Sequence, residues 1–282
     1  HIDWLAKNGK SGLYTTVPKT MHPGSEIANM AVLGYDVEKV FEGRGVLEAA
    51  SMGVTLQPGD LGLRCNLLTI ENEKIKNHSG GHISSAEATE LIHFLNDKLG
   101  SETVRFYPGV SYRHLLVIKN GVKNMHCTPP HDVTGTPFKE VLIQAKNQEA
   151  QETADLLNNM IFESQKLLEN HPVNINRKSL GKDPANSIWP WSPGYKPAMP
   201  TLKEMFGIEK SAVIFSVDLI HGIGVYAGME VIHVEGATGL YDTNYEGKAK
   251  AAVDALKTHD FVYLHIEASD EAGHEGNVEL KT

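Results

Sequence analysis

Residues 211–234, SAVIFSVDLIHGIGVYAGMEVIHV, decide the fold class. Ala212–Val217 is apolar with little alternation, the pattern of a strand buried on both faces. Met229–Val234 and Phe261–Ile266 (FVYLHI) read as two further strands. Glu246–Lys257 places Ala249, Ala252, Val253 and Leu256 on one face of a helix. Strands alternating with helices predict an α/β fold with a parallel sheet. In such sheets chemistry gathers at the carboxyl ends of the strands. Although 211–234 is the most apolar region, Asp218, His221 and Glu230 interrupt it. No run approaches the roughly 20 apolar residues that a membrane span needs.

Upstream the texture differs. Arg64–Ile70 (RCNLLTI) and Tyr112–Lys119 (YRHLLVIK) read as strands, the second ending in an Asn120-Gly121 hairpin turn. Ser84–Leu99 reads as a helix capped by Ser84 or Ser85, with Glu87 or Glu90 in its first turn, and Glu149–Glu169 as a long amphipathic helix. That order predicts a compact α+β unit. Residues 171–210, with PANSIWPWSPGYKPAMP, read as an ordered irregular crossing, because two tryptophans need a surface to bury against. Residues 1–50 predict a short helix with Ile2, Leu5 and Ala6 on one face, a strand over Gly12–Pro18, and a turn-to-helix step in HPGSEIANMAVLGYD (22–36). There Pro23-Gly24 breaks structure, Ser25 can cap, and Gly34 ends the helix.

Composition narrows the function classes. A length of 282 residues allows one large domain or two ordinary ones. A formal charge of −9 without basic runs argues against nucleic-acid partners. Cys65 and Cys127 form no CxxC pair, which fits a reducing compartment, the cytoplasm. Residues 1–10, HIDWLAKNGK, carry no signal-peptide core. The absent initiator methionine and the charged ELKT end lead us to expect a fragment of a longer protein.

Three groups of residues carry candidate chemistry. After the strand 261–266, EASDEAGHEG sets Asp270 and His274 four residues apart, so that both can face one cation, and adds acidic neighbours. Ser25 follows a Pro-Gly turn at a helix N-terminus, where anions are stabilised, and a metal would activate its hydroxyl. Arg64, His82, Arg113, His114, Arg177 and the His131-Asp132 pair lie in the middle region, and Arg with His suits a small polyanion. Gly80-Gly81 beside His82 permits close backbone approach. Gly222-Ile223-Gly224 lacks the third glycine of a dinucleotide motif, and Lys248 reads as an exposed helix lysine.

Taken in order, HPGSEIANMAVLGYD, GRGVLEAASMGV (43–54), RCNLL, SGGHIS, YRH, PPHD, HPVN with NRK, GKDPANSIWPW, DTNYEGKA and EASDEAGHEG resemble the archaeal-type 2,3-bisphosphoglycerate-independent phosphoglycerate mutases of the alkaline phosphatase superfamily. The resemblance implies an alkaline-phosphatase-like, mostly parallel sheet flanked by helices. Residues 1–55 and 171–282 would form the metal-binding catalytic domain, and 56–170 an inserted α+β substrate-binding domain. It implies interconversion of 3- and 2-phosphoglycerate without added 2,3-bisphosphoglycerate. Ser25 would be the phosphorylated nucleophile, and Asp270 and His274, with Ser25, would hold part of a two-ion centre of Mn or Mg. His82, Arg113, His114, Arg177 and Arg64 would hold phosphoglycerate, and closure of the inserted domain would exclude water. No membrane partner is implied, and a homo-oligomer is left open.

Two family features are missing: an opening D-G-x-x-D-like metal motif, and roughly 100 closing residues with a D-H pair and another His. The two-metal centre is therefore expected to be incomplete in this chain. The rival readings are a related metal-dependent phosphohydrolase or phosphonate-handling enzyme, and a catalytically incomplete protein that binds phosphorylated acids.

Overall fold

The computed structural model describes the backbone of residues 1–282 and all side chains except that of Ile2. The chain forms two compact units, His1–Phe41 and Glu42–Thr282. The boundaries expected after residues 55 and 170 both fall inside the second.

In the first unit, helices α1 (Ile2–Asn8), α2 (Ser25–Val32) and α3 (Val37–Val40) are joined by irregular chain. The face expected on α1 is not buried: Leu5 and Ala6 are exposed, and Ile2 lies outside the described side chains. The strand expected over Gly12–Pro18 does not form, and Leu13 projects into solvent. Alternation alone cannot hold a strand without a neighbour to supply its ladder. Tyr14 Oη instead donates to the Ala31 carbonyl of α2 at 2.7 Å. Helix α2 buries Ile27, Met30 and Ala31. Gly34 closes it with φ 89°, its N–H donating to Ala31 O at 2.8 Å.

The second unit begins with α4 (Arg44–Ser51), β1 (Asp60–Glu71), β2 (Lys74–Asn77), α5 (Ser85–Leu99), β3 (Val104–Tyr107) and β4 (Arg113–Lys119). It continues with β5 (Met125–His126), β6 (Gln144–Ala145), α6 (Gln151–Leu168), α7 (Pro172–Ser179) and β7 (Ser187–Gly194). Strand β1 is the spine of a five-stranded sheet: β2, β4 and β7 pair with it antiparallel, and β3 pairs with β4. Along β1, Leu61, Leu63, Cys65 and Leu67 join Leu91, Leu95, Leu157 and Ile161 in the main core with α5 and α6. On the opposite face Val46 and Ala49 of α4 meet Leu115 and Val117 of β4. The expected cap of α5 is present as a reciprocal box between Ser84 and Glu87.

Two expectations fail here for identifiable reasons. Asn120-Gly121 turns the chain, yet no hairpin follows, because β4 already has β1 on one edge and β3 on the other. The Pro-Trp stretch is strand β7 and not an irregular crossing. Pro190, which lacks an N–H, lies opposite Cys65, and β7 pairs with β1 alone, as befits an edge strand. Both indoles find acceptors, Trp189 Nε1 in Thr128 O at 2.9 Å and Trp191 Nε1 in Asn66 Oδ1 at 3.0 Å.

The remaining elements are α8 (Leu202–Phe206), β8 (Ser211–Ile214), α9 (Asp218–Tyr226), β9 (Glu230–Ile232), α10 (Tyr245–Ala255), β10 (Phe261–Leu264), α11 (Ala268–His274) and α12 (Val278–Lys281). Strands β10, β8 and β9 form a parallel sheet in that order, with β8 buried throughout. The architecture is thus mixed α/β; parallel pairing belongs to this three-stranded sheet, and the larger sheet is antiparallel. Helix α10 turns the other way from expectation: Val253 and Leu256 are exposed, while Lys248 and Ala255 are buried. Gly222 lies within α9, where a Cβ would stand 2.0 Å from Leu47 O, so the GxG pair serves the close approach of α9 to α4.

Candidate functional site

The charged centre of the second unit lies on the α4 face of the antiparallel sheet. Residues alternate across a strand, so Arg64, between the core residues Leu63 and Cys65, projects toward α4. Its Nε stands 3.0 Å from Glu48 Oε2, and Arg44 Nε is 4.0 Å from the same carboxylate. Gly45 makes this possible: a Cβ there would come within 2.8 Å of the Arg64 backbone nitrogen. The Arg64 guanidinium also stacks 4.5 Å from the Trp191 ring. Arg113 adds a third positive charge within reach of Glu48, and Asp218 a second negative one. Burial raises the Glu48 pKa, and the charges of Arg64, Arg44 and Arg113 offset part of that rise. Burial likewise lowers that of Arg64, against the pull of Glu48. Both Arg Nε atoms are buried without a hydrogen-bond acceptor, so charge and stacking hold the cluster together.

Histidines continue this surface. The His78 ring makes edge contacts with Tyr112 at 5.9 Å and His131 at 6.2 Å, and His131 contacts Trp191 at 5.6 Å. Arg113 lies 5.5 Å over Tyr112. His78 has a lowered pKa, first from desolvation and then from the neighbouring charges of His131 and His82. An anion arriving among these groups would meet three arginines and three imidazoles. Asp132, 3.5 Å from His131, is exposed beside them.

Arg177 is fully buried and faces the backbone of the His82 loop. It donates to Gly80 O at 2.8 Å, Gly81 O at 2.9 Å, Asp183 O at 2.9 Å and Glu87 Oε2 at 3.0 Å. Gly80, Gly81 and His82 take φ of 58°, 66° and 52° in succession. A Cβ on Gly81 would meet Asp183 Cβ at 2.7 Å, so glycine is required there twice over.

His114 lies apart from its neighbour Arg113. The two are successive residues of β4, and His114 faces the core, 2% exposed. Gly109 N–H donates to its Nδ1 at 3.0 Å, which leaves the proton on Nε2. That Nε2 is buried without an acceptor, and desolvation pushes the pKa down to about 3.

At the carboxyl edge of the parallel sheet, Lys248 is buried and donates to His265 O at 3.2 Å. Its burial corrects the reading of an exposed lysine. Desolvation lowers its pKa, opposed by Glu267. Glu267 is raised by burial, with Asp270 and Glu271 adding to the rise and Arg44 and His274 opposing it. Arg44 therefore connects the arginine cluster electrostatically with the acidic helix α11. There His274 Nε2 and Asp270 Oδ2 are 3.2 Å apart, both exposed. They meet as their spacing predicts, yet among the described residues no group of three or more His, Cys, Asp or Glu could hold a metal ion. Two ligands fall short of a divalent site. Ser25 is the exposed first residue of α2 in the other unit, with Gly24 as the N-cap.

Arg44, Glu48, His78 and Trp191 are absent from the candidates read in the sequence, although GRGVLEAASMGV and SIWPW contain three of them. Helical spacing of Arg44 and Glu48 was the available signal.

A family model described as 2,3-bisphosphoglycerate-independent phosphoglycerate mutase matches residues 6–174. A protein of that name from Methanosarcina acetivorans is 53% identical over 281 residues, covering 99% of this chain and 69% of the relative. One named as a probable mutase of this kind, from Geobacter sulfurreducens, is 48% identical, covering 100% of this chain and 70% of its own. Among solved structures, a Pyrococcus horikoshii protein aligns with TM-score 0.72 at 28% identity, over 92% of this chain and 60% of that one. The cofactor-independent phosphoglycerate mutase of Thermoplasma acidophilum aligns with TM-score 0.62 at 29% identity, over 87% and 65%. The chain thus spans 69% and 60% of the first relative and the first structure. With most of its length aligned to mutases at about half identity, this chain belongs to the 2,3-bisphosphoglycerate-independent phosphoglycerate mutase family.

Proposed function

We propose that the protein interconverts 3-phosphoglycerate and 2-phosphoglycerate through a phosphoserine at Ser25, in the cytoplasm and without added 2,3-bisphosphoglycerate. The observation that carries this reading is the arginine cluster. A chain of net charge −9 gathers Arg44, Arg64 and Arg113 around one carboxylate, with His78, His82 and His131 beside them. Such a surface suits an anion carrying both a phosphate and a carboxylate. Arg64 and Arg113 would bind it, His82 would meet its hydroxyl side, and Arg177 would act indirectly by fixing the His82 loop. His114, neutral and inward, would support β4 and not touch the ligand. Residues 56–170 with β7 would form the substrate-binding part, and the parallel strands β8–β10 the alkaline-phosphatase-like part. Asp270 and His274 would contribute two ligands to a cation such as Mn or Mg.

The test is formation of 2-phosphoglycerate from 3-phosphoglycerate with Mn present and bisphosphoglycerate omitted. Product that disappears in Ser25→Ala supports the reading; product that persists in that variant removes the serine mechanism. The lack of a metal cluster among the described residues favours a second reading, binding of phosphorylated acids without turnover. Calorimetric binding of 3-phosphoglycerate without product formation would establish it.

A further inference from the structure

Glu48 places a negative charge in the middle of a surface suited to anions. It lies one turn beyond Arg44 on α4, with its side chain 15% exposed. The charged groups facing it are Arg44 from its own helix, Arg64 from β1, Arg113 from β4 and Asp218 from α9. Arg64 is confined between this carboxylate at 3.0 Å and the Trp191 ring at 4.5 Å. A planar guanidinium held on two sides presents its remaining N–H groups in a fixed direction. The carboxylate thereby prepares the arginines, yet it also competes with any anion they are to bind. When a phosphorylated acid reaches them, two like charges share one partly desolvated site, and one of them is disfavoured.

We propose that Glu48 is a positioning residue that holds Arg44 and Arg64 ready for the phosphorylated acid and takes up a proton when that anion binds. The proposal rests on the phosphoglycerate reading of the site. The proton comes from solvent and goes to a Glu48 carboxyl oxygen; no covalent bond to the ligand forms. A neutral Glu48 stays beside Arg64 without opposing the ligand. Burial already moves Glu48 toward its acid form, so the ligand's charge extends an existing bias. Because binding raises the Glu48 midpoint, uptake falls between its free and bound midpoints, above the ordinary value of 4.5. Affinity should weaken as pH rises through that window and then level off.

The experiment is calorimetric titration of 3-phosphoglycerate in paired buffers of different ionisation heat across a pH series, which counts protons exchanged per ligand bound. Proton exchange by the ligand phosphate and by groups other than Glu48 is common to wild type and Glu48→Gln and cancels in the difference. Wild type should take up more protons than Glu48→Gln, by up to a whole proton, and Glu48→Asp should restore the excess. Glu48→Gln should bind several-fold tighter at the alkaline end of the window. Equal uptake in wild type and Glu48→Gln overturns the proposal while leaving the phosphoglycerate reading intact. Absence of binding heat in wild type removes that reading and the proposal with it. Should Glu48→Gln fold poorly, carbon-13 carboxyl titration of wild type decides: a glutamate midpoint that rises with ligand supports the proposal, and none that moves overturns it.

Discussion

Arg177 and Glu87, 90 residues apart in the chain, meet at 3.0 Å and join the first turn of α5 to the glycine loop that carries His82. The same carboxylate accepts the Ser84 N–H, so one oxygen of Glu87 serves the helix cap and the arginine together. Cap and loop are therefore a single mechanical unit. Arg177→Ala leaves the Gly80, Gly81 and Asp183 carbonyls without this donor and Glu87 without its cation, and should cost roughly 3 kcal/mol of stability in urea unfolding. Arg177→Lys should recover little, since an ammonium cannot reproduce the planar fork.

His114 makes stability depend on pH. Its pKa falls from 6.5 to about 3 on folding, so the unfolded chain binds a proton that the folded chain refuses. The stability it contributes is complete above 6.5 and is lost as pH falls toward about 3. The slope is about 1.4 kcal/mol per pH unit for one such group. Unfolding free energies measured across that range should fall less steeply in His114→Gln than in wild type.

Gly45 controls how closely α4 approaches the sheet. An added methyl would strike the Arg64 backbone nitrogen at 2.8 Å and Ser192 O at 2.9 Å, and neither can rotate away. Gly45→Ala should lower stability by roughly 2 kcal/mol. By lifting Arg44 and Glu48 from Arg64, it should also weaken 3-phosphoglycerate binding in calorimetry.

Asp270 and His274, proposed above as two cation ligands, stand 3.2 Å apart on α11, and among the described residues no group of three or more His, Cys, Asp or Glu could hold a metal ion. Mn titrated into this chain and followed by electron paramagnetic resonance should bind weakly. His274→Ala should abolish that binding. Tight binding that survives the substitution would place the metal elsewhere.

Legibility of the sequence followed the range of the interactions. The capping box at Ser84 and Glu87, the closing turn at Gly34, strands β1 and β4, and the Asp270–His274 pairing all depend on residues within a few positions, and spacing reveals them. The hairpin at Asn120-Gly121 was legible as a turn but not in its consequence, since whether β4 has a free edge depends on β1 and β3. The strand expected over 12–18 had the right pattern without a partner. In α10 the apolar stripe suggested one face for burial, and the fold buries Lys248 on another.

By itself, then, the sequence determined the family and those local elements held by short-range contacts, the capped helix α5 and strands β1 and β4 among them. Tertiary structure decided which of the candidate residues gather on one surface and which are turned into the core. Alternation along β4 turns Arg113 outward and His114 inward, and Arg177 finds three of its four partners 90 to 97 residues away. Arg44 and Glu48 reach Arg64 only because Gly45 lets a helix press onto a strand. Those assignments depend on charges and desolvation set by groups distant in the chain, which no local pattern of residues encodes.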